Sequence, residues 1–158
     1  MKRNSNRKPN EICINRKAKY SFSIKETFEA GIVLLGWEVK SVRCGKINIS
    51  NSYISLKNGE MYLVNSQFDP ISKSNLYITY ECNRIKKILL RKREITYLYS
   101  KLYKSHLTII VLSIFFKKQW CKVKIGIAKG KTIKDKREHK KLSEWKKTQN
   151  RFVKRIRH

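Results

Sequence analysis

The sequence predicts a mainly β domain, built as a small antiparallel barrel with few helices. Residues 51–57 and 60–65 flank Asn58-Gly59, a pair that favours a type I′ hairpin turn because both central positions need a positive φ. Residues 107–116 and 120–128 flank a second turn of three residues. Residues 20–24 alternate apolar and polar, as a half-buried strand does. Many short strands are typical of sandwiches and barrels, and an OB-like barrel fits.

Two segments have a helical pattern. Residues 35–43 end before Gly45, which is a suitable helix C-cap. Residues 91–104 carry three apolar residues at helical spacing. Both are short, so the predicted architecture stays mainly β.

The chain divides into three parts by composition. We expect a flexible basic arm over 1–11, a folded body over 12–128 and a basic tail over 129–158. Within the body, residues 67–83 have no clear period and contain Asp69-Pro70, which predicts a long loop. The length fits one domain with a tail.

The charge of the chain predicts a polyanionic partner. Of the 158 residues, 38 are Lys or Arg and 11 are Asp or Glu, for a net charge of +27. Nucleic acid and an anionic membrane both fit this excess. The longest apolar run, 107–116, is half of the roughly 20 residues needed to cross a bilayer, and no apolar segment follows the basic start. We therefore expect a soluble, cytoplasmic protein with no segment that crosses a membrane.

Metal, cofactor and enzyme sites are not supported by the residue pattern. The cysteines are widely spaced without a C-x-x-C pair, whereas zinc modules use close ligand pairs; they are Cys13, Cys44, Cys82 and Cys121. Paired carboxylates and a Ser/His/Asp pattern are not apparent. We expect no metal, no cofactor and no enzymatic activity.

The segment from Gly126 to Thr132 is one residue short of a phosphate-binding loop. It follows a hairpin rather than a strand that leads into a helix. We interpret it as a hinged exit from the last strand, with Gly130 as the flexible point and Lys129 and Lys131 as charges.

Two acidic residues near the centre of the body allow two interpretations. A carboxylate repels phosphate, so Glu29 and Glu38 do not add general affinity for RNA. Each either pairs with a Lys or Arg or accepts hydrogen bonds from base N–H groups. The ion-pair interpretation is stronger for Glu38 than for Glu29.

The tail has an amphipathic helical pattern. Near one helical face lie Leu142, Trp145, Gln149, Phe152, Val153 and Ile156, most of them apolar, and basic residues crowd the rest. Like-charge repulsion predicts an unfolded free tail, and a polyanion that screens the charges would let the helix form. A basic amphipathic helix also suits a membrane surface, but the basic body favours RNA.

Ordered sequence blocks across nearly the whole chain resemble the SmpB family (small protein B, or SsrA-binding protein). The blocks are NRKA (15–18), ETFEAGIVLLGWEVKSVR (26–43), GKIN (45–48), SY (52–53), NGE (58–60), KILL (87–90), RE (93–94), WCKVKIGIAKGK (120–131) and DKR (135–137). This family binds transfer-messenger RNA (tmRNA) in bacterial ribosome rescue.

The resemblance implies a fold and a function. The fold is an OB-fold-like antiparallel barrel with about three short helices. The function is that of a monomeric RNA-binding adaptor of trans-translation that catalyses no covalent step. It binds the tRNA-like domain of tmRNA and enters the A site of a stalled ribosome, with elongation factor Tu and GTP acting indirectly through alanyl-tmRNA. The tail passes the decoding centre of 16S rRNA, occupies the empty mRNA channel and becomes helical there.

The resemblance also implies site residues. Asn15, Glu29 and Leu89 fall at RNA-binding positions of the family, although Leu89 alone reads as an ordinary core leucine. Charge and block position add the phosphate contacts Lys17, Lys40, Arg43 and Lys46. In the last hairpin, every second residue from Cys121 to Ile127 is apolar, which predicts a basic outer face on the opposite side and adds Lys122 and Lys124. The tail residues implied to face the ribosome are Lys129, Gly130, Lys131, Lys134, Asp135, Lys136, Arg137, Trp145, Phe152, Val153 and Lys154.

The tail departs from the family pattern at two places. Lys134 stands where the family commonly has an aromatic residue or His that can stack on a base. Phe152-Val153-Lys154 stands where the family often has Ile-Met-Lys, and it keeps the apolar-apolar-basic order.

Two other classes of function remain open. An RNA-processing nuclease would need a clustered acidic or His site. A structural ribosomal protein would stay with its subunit at high salt, whereas an adaptor would come and go.

Overall fold

The computed structural model describes residues 11–71, 80–105, 107–135, 137–138, 141, 144–145 and 148–149. The strands among them are β1 (Glu11–Ile14), β2 (Phe22–Ile32), β3 (Ile47–Asn48), β4 (Tyr53–Lys57), β5 (Glu60–Val64), β6 (Gln67–Phe68), β7 (Lys86–Leu89), β8 (Thr108–Lys117) and β9 (Trp120–Gly130). The helices are α1 (Arg16–Ser21), α2 (Gly36–Arg43) and α3 (Lys92–Lys104). A search of the described helices finds none that could cross a membrane.

The main sheet closes on itself. Strands β8, β4, β5, β7, β2 and β9 hydrogen-bond in this order, and β9 pairs again with β8. All these pairings are antiparallel, and β1 adds to β8 beside the ring. This closed ring confirms the mainly β, barrel-like prediction, and closure covers the edges that an open sheet would expose.

The longest apolar run of the sequence lies in β8, and both faces of this strand are covered. Val111 and Ile114 face the core inside the ring. Ile110 and Leu112 face the other side, where Ala18 of α1 packs on them. Both faces of the strand are therefore covered, and a strand covered on both faces is apolar throughout.

Both predicted hairpins are present. Asn58 and Gly59 have φ values of 52° and 74°, as the type I′ prediction requires. The second turn is shorter than predicted, because Lys117 still pairs with Trp120. Lys118, with φ 56°, takes the left-handed conformation that this tighter two-residue turn needs.

The two predicted helices are present, each beginning one residue later than expected. Gly45, with φ 70°, follows α2. Its N–H donates to the carbonyl of Val42, and the N–H of Lys46 donates to that of Ser41, each over 2.9 Å. These two bonds form a Schellman motif, so Gly45 ends the helix as predicted.

Helix α1 is not predicted from the residue pattern, which instead places a strand over residues 20–24. That prediction is wrong for Tyr20 and Ser21, which lie in α1; the strand starts at Phe22. The apolar alternation simply continues across the helix–strand boundary. With α1, the structure has the three short helices that the family resemblance implies.

The predicted loop 67–83 is partly structured. Its first two residues form β6, which pairs with β3. Phe68 is fully buried in the core, and this burial holds the start of the segment to the body. Residues 72–79 lie outside the described part of the chain.

The exit from β9 differs from the predicted hinge. Gly130 still pairs with Phe22 of β2, and the N–H of Lys131 donates to the carbonyl of Ser21 over 2.9 Å. Beyond it, residues 133–135, 137–138, 141, 144–145 and 148–149 are helical. This agrees with the amphipathic pattern; the predicted unfolding of the free tail stays a prediction.

Candidate nucleic-acid interface

A groove of about 780 Å³ lies on the outer face of the ring, where β2, β7 and β9 meet the start of α3. The groove brings together three sequence-predicted residues, Glu29, Leu89 and Lys122. It is also lined by Gly31, Gly59, Glu60, Lys87, Ile88, Leu90, Arg91, Lys92, Glu94 and Ile95. Pairing in the sheet brings Glu29 and Leu89 together across 60 positions of sequence.

Glu29 presents its carboxylate at the rim of the groove. Its side chain is 48% exposed, and its ion-pair partner Lys117, at 3.8 Å, is 64% exposed. Exposed pairs of this kind contribute at most about 1 kcal/mol. The carboxylate is therefore able to exchange Lys117 for a ligand donor at little cost.

Leu89 is exposed, although the residue pattern alone predicts an ordinary core leucine at this position. Its exposed fraction is 52%, whereas the preceding Ile88 is 2% exposed. Leu89 pairs with Gly31 of β2. A Cβ atom at Gly31 would lie 3.2 Å from the Leu89 Cβ, so the glycine gives Leu89 its room. An apolar side chain is thus displayed among charged neighbours.

Some charged side chains of the groove already have partners within the protein, and others do not. Lys87 and Glu60 form an ion pair that lowers the carboxyl pKa of Glu60 and raises the amine pKa of Lys87, chiefly through their hydrogen bond. Glu94 accepts the backbone N–H of Arg91 over 2.8 Å at the start of α3. Two of the three acids are therefore held within the protein, and the basic residues set the net sign of the groove.

Lys122 and Lys124 lie on β9 opposite Gly31 and Glu29 of β2. Both are partly exposed, while their neighbour Val123 is fully buried. The alternation confirms the predicted outer face of the hairpin. Lys122 lines the groove.

Asn15 and Lys17 belong to a different surface, a cavity of about 410 Å³ beside α1. Asn15 is 3% exposed. Its amide donates to the carbonyls of Ile49 (2.9 Å) and Val111 (3.0 Å), and its oxygen accepts the N–H of Ala18 over 2.9 Å. These contacts start α1 and join it to β8, so Asn15 has a structural role, and its contact with RNA stays a prediction.

The remaining predicted phosphate contacts are exposed cations away from the groove. Lys40 lies on α2, and the Arg43 Cζ is 5.8 Å from the ring centroid of Phe116. The Nζ of Lys46 is 3.5 Å from the carbonyl of Ile71, and that of Lys17 donates to Asn51 over 2.7 Å. Their contacts with RNA stay predictions.

The start of the tail is attached to α1. The Nζ of Lys131 donates to the carbonyl of Lys19 over 3.1 Å, in addition to the backbone bond to Ser21. Asp135 accepts the N–H of Thr132 over 3.0 Å, and Thr132 Oγ1 accepts the N–H of Asp135 over 3.3 Å. This reciprocal pair is a capping box, so Thr132 and Asp135 begin the tail helix.

The other predicted tail residues are accounted for as far as the structure describes them. Lys129, Lys134 and Arg137 are exposed, and Trp145 is 63% exposed. Lys136, Phe152, Val153 and Lys154 lie outside the described residues.

Three comparisons with known proteins agree on the family. A family model described as SmpB protein matches residues 12–155. The chain is 47% identical, over 146 residues, to the SsrA-binding protein of Buchnera aphidicola subsp. Schizaphis graminum (strain Sg), covering 92% of this chain and 90% of that protein. The chain belongs to the SmpB family.

A solved SmpB structure supports the same assignment. It is described as "tmRNA-SmpB: a journey to the center of the bacterial ribosome". Its chain is 38% identical, with a TM-score of 0.64, over 80% of this chain and 92% of that one. The barrel and helices described above are therefore the SmpB fold.

Glu38 has the structural role in this SmpB chain that its ion-pair interpretation predicts. It is fully buried, and its carboxylate lies 2.7 Å from Arg84 Nη2 and 3.5 Å from Lys86 Nζ. It also accepts the N–H of Leu35 over 2.7 Å at the start of α2. Burial lowers the amine pKa of Lys86.

Several residues of the site are not found by reasoning from sequence. Gly31 under Leu89, the Lys87–Glu60 pair, and Arg91 and Lys92 are recognised only when β2, β7 and α3 come together. The apolar KILL block that contains Leu89 overlaps β7, but its pattern does not show which residue faces outward.

Potential metal-ligating side chains are dispersed among the described residues, and the thiol of Cys121 is half-buried. Among them, no three His, Cys, Asp or Glu side chains are grouped to hold a metal ion. Burial raises the pKa of the Cys121 thiol to about 12, so this thiol stays protonated and unreactive near neutral pH.

Proposed function

We propose that this chain is the RNA-binding adaptor of trans-translation. It binds the tRNA-like domain of tmRNA, delivers it to the A site of a stalled ribosome and inserts its tail into the empty mRNA channel. The nascent chain is then tagged and the ribosome is released. The observation that carries the proposal is the groove, which joins Glu29 and Leu89 on one basic outer face.

The groove offers three kinds of contact to a folded RNA. Arg91, Lys92 and Lys122 supply cations for phosphates, which position the RNA without reading its sequence. The Glu29 carboxylate accepts hydrogen bonds from base N–H groups. Leu89 offers an apolar surface to the face of a base or ribose.

The tail acts separately from the groove. Its helix starts at the capping box of Thr132 and Asp135, directly after Lys131, the residue that contacts α1. Lys134, Arg137 and Trp145 of the tail, together with Lys129 at the end of β9, face the decoding centre and the channel in 16S rRNA.

The remaining parts of the proposal concern the cellular setting. The chain acts as a cytoplasmic monomer and catalyses no covalent step. Elongation factor Tu with GTP joins it indirectly, through alanyl-tmRNA.

A competition gel shift across a salt series tests the proposal. Labelled tRNA-like domain competes with bulk tRNA and with random duplex RNA. We expect wild type to prefer the tRNA-like domain, and Glu29→Ala to reduce affinity for it by about 5- to 100-fold, the range for a lost base contact. Binding should weaken steeply with salt as counterions are released.

Glu81→Ala is the matched control, because Glu81 is also exposed and the change in net charge is the same. It should behave as wild type. Equal affinity of wild type for every RNA, with no effect of Glu29→Ala, would show a general basic binder instead. If wild type cleaved RNA and Glu29→Ala lost this turnover at unchanged affinity, the protein would be a nuclease. If wild type stayed on ribosomal subunits at high salt, it would be a structural ribosomal protein.

A further inference from the structure

The outward face of α3 carries two adjacent tyrosines. Lys92, Thr96, Tyr99 and Tyr103 follow one another at spacings of four, three and four residues, which places them on one side of a helix. We call this side the tyrosine face. Tyr99 is 47% exposed and Tyr103 is 60% exposed, and their ring centroids are 4.6 Å apart.

The tyrosine face does not serve to pack the helix onto the barrel. That task falls to Leu98, which is fully buried, and to Ile95 and Leu102. Tyr97 of the same helix shows the contrast, because its hydroxyl bonds Glu26 at 2.8 Å and its ring lies 6.0 Å from that of Phe28. Tyr99 and Tyr103 instead form a paired aromatic surface towards solvent.

The tyrosine face continues the groove. Lys92 lines the groove and also begins the face. From Lys92 to Tyr103 the helix rises about 16 Å at 1.5 Å per residue. An RNA seated on Glu29 and Leu89 is thus able to extend along α3 by two or three nucleotides.

The charge of α3 selects RNA over a protein partner. Lys92 lies on the tyrosine face and Arg93 is exposed next to it in the first turn, while Lys101 lies over the ring of Tyr97 and Glu94 is engaged at the helix start. Exposed aromatic rings beside cations are the arrangement with which proteins hold unstacked bases, since every base has a face that stacks.

We propose that the tyrosine face binds unstacked nucleobases of the tRNA-like domain, next to the part of that RNA held in the groove. The inference rests on the proposed function and adds a second contact to it. Tyr99 and Tyr103 supply stacking, and Lys92 joins the two contacts through a phosphate.

The test compares Tyr99→Ala/Tyr103→Ala with Tyr99→Phe/Tyr103→Phe in the full chain. The probes are the tRNA-like domain and a fully paired RNA duplex of equal length. Stacking on an aromatic ring predicts a loss of about 5- to 100-fold in affinity for the tRNA-like domain in the Ala variant. The slope of affinity against salt should not change, because no phosphate contact is lost.

The Phe variant should bind as wild type, since it keeps the rings. Affinity for the duplex should stay unchanged in both variants, and thermal unfolding should confirm that both are folded. Photocrosslinking of 4-thiouridine-substituted tRNA-like domain should mark Tyr99 or Tyr103 by mass spectrometry, which a purely structural role would not produce.

Wild-type affinity of the Ala variant for the tRNA-like domain, without a crosslink on α3, would overturn the inference. If Glu29→Ala still lost affinity, the proposed function would stand. Loss of ribosome rescue at full affinity would assign the face to another partner and also overturn the inference. Failure of wild type to prefer the tRNA-like domain would instead contradict the proposed function, and the crosslink alone would then decide the role of the tyrosines.

Discussion

Two glutamates of this chain show how surroundings assign opposite roles to one side chain. Glu38 is fully buried between Arg84 and Lys86 and fixes the start of α2. Glu29 is half exposed and pairs with Lys117, which is itself exposed. The buried acid is committed to the fold, whereas the exposed acid keeps acceptor capacity for a ligand.

The burial of Glu38 predicts that the fold loses stability when its charge is removed. Glu38→Gln should lower the free energy of unfolding by about 3–5 kcal/mol, because it leaves Lys86 buried without its counter-charge. Urea denaturation monitored by circular dichroism measures this change.

Glu60→Gln is the control for that prediction. Glu60 also pairs with a lysine, but both side chains are more than 40% exposed, so little change is expected. Equal destabilisation by the two variants would show that burial of the Glu38 network is not what makes it important.

At the scale of elements, the tail helix depends on its first turn. The capping box of Thr132 and Asp135 satisfies backbone N–H groups that a helix start leaves unpaired. The hydrogen bonds from Thr132 lower the carboxyl pKa of Asp135. The ionised carboxylate is thus the form that the helix uses.

Asp135→Ala should increase hydrogen exchange at the amides of residues 133–138 at neutral pH. The pKa of Asp135 is lower in the folded chain than its ordinary value of 3.8. The contribution of the Asp135 carboxylate to the stability of the helix is therefore complete above pH values near 3.8 and is lost as pH falls through the lowered pKa. Exchange measured by NMR at several pH values should show wild type and variant converging in acid.

Thr132→Ser keeps the hydroxyl acceptor and should retain protection of these amides. A pH-independent difference between wild type and Asp135→Ala would mean that the carboxylate does not act through the capping box.

Local signals explain which elements the sequence predicts. The Asn58-Gly59 turn and the Gly45 helix end each depend on neighbouring residues alone, and both are found. Helix α1 is missed because its six residues need a buried contact, Asn15 to Val111, that joins positions 96 apart. β6 is missed for the same reason, since Phe68 has meaning only in the assembled core.

The candidate site is predictable in part for the same physical reasons. The net charge indicates the class of partner, and the family blocks indicate Glu29 and Leu89. The groove itself depends on the register of β2 with β7, which sets Gly31 opposite Leu89. No local pattern carries that register, so Lys87, Arg91 and Lys92 could not be found from sequence.

At the scale of the whole molecule, the proposed function predicts separable roles for body and tail. The groove and the tyrosine face lie on the ring and α3, whereas the helix of the tail begins only at Thr132. A chain that ends at Lys131 keeps both surfaces and also keeps the contact of Lys131 with α1. It therefore removes the tail from Thr132 onward without disturbing the body.

This truncated chain should keep the preference for the tRNA-like domain over duplex RNA but lose ribosome rescue. It lacks eleven basic and three acidic residues, so affinity for every RNA should fall while the ratio of affinities is retained. Gel shifts and a tagging assay on ribosomes stalled at the end of an mRNA measure the two effects. Loss of the preference would contradict the division between body and tail.

The long pairing of β9 has a mechanical consequence. β9 hydrogen-bonds to β2 on one side and to β8 on the other, almost from Trp120 to Gly130. A force that pulls the tail along the strand would load these two ladders in shear, with many bonds sharing the tension at once. Lys131 adds a tether to α1 at the point where the force enters. The tail is thus anchored in a strand that is paired on both sides within the wall of the ring, between β2 and β8.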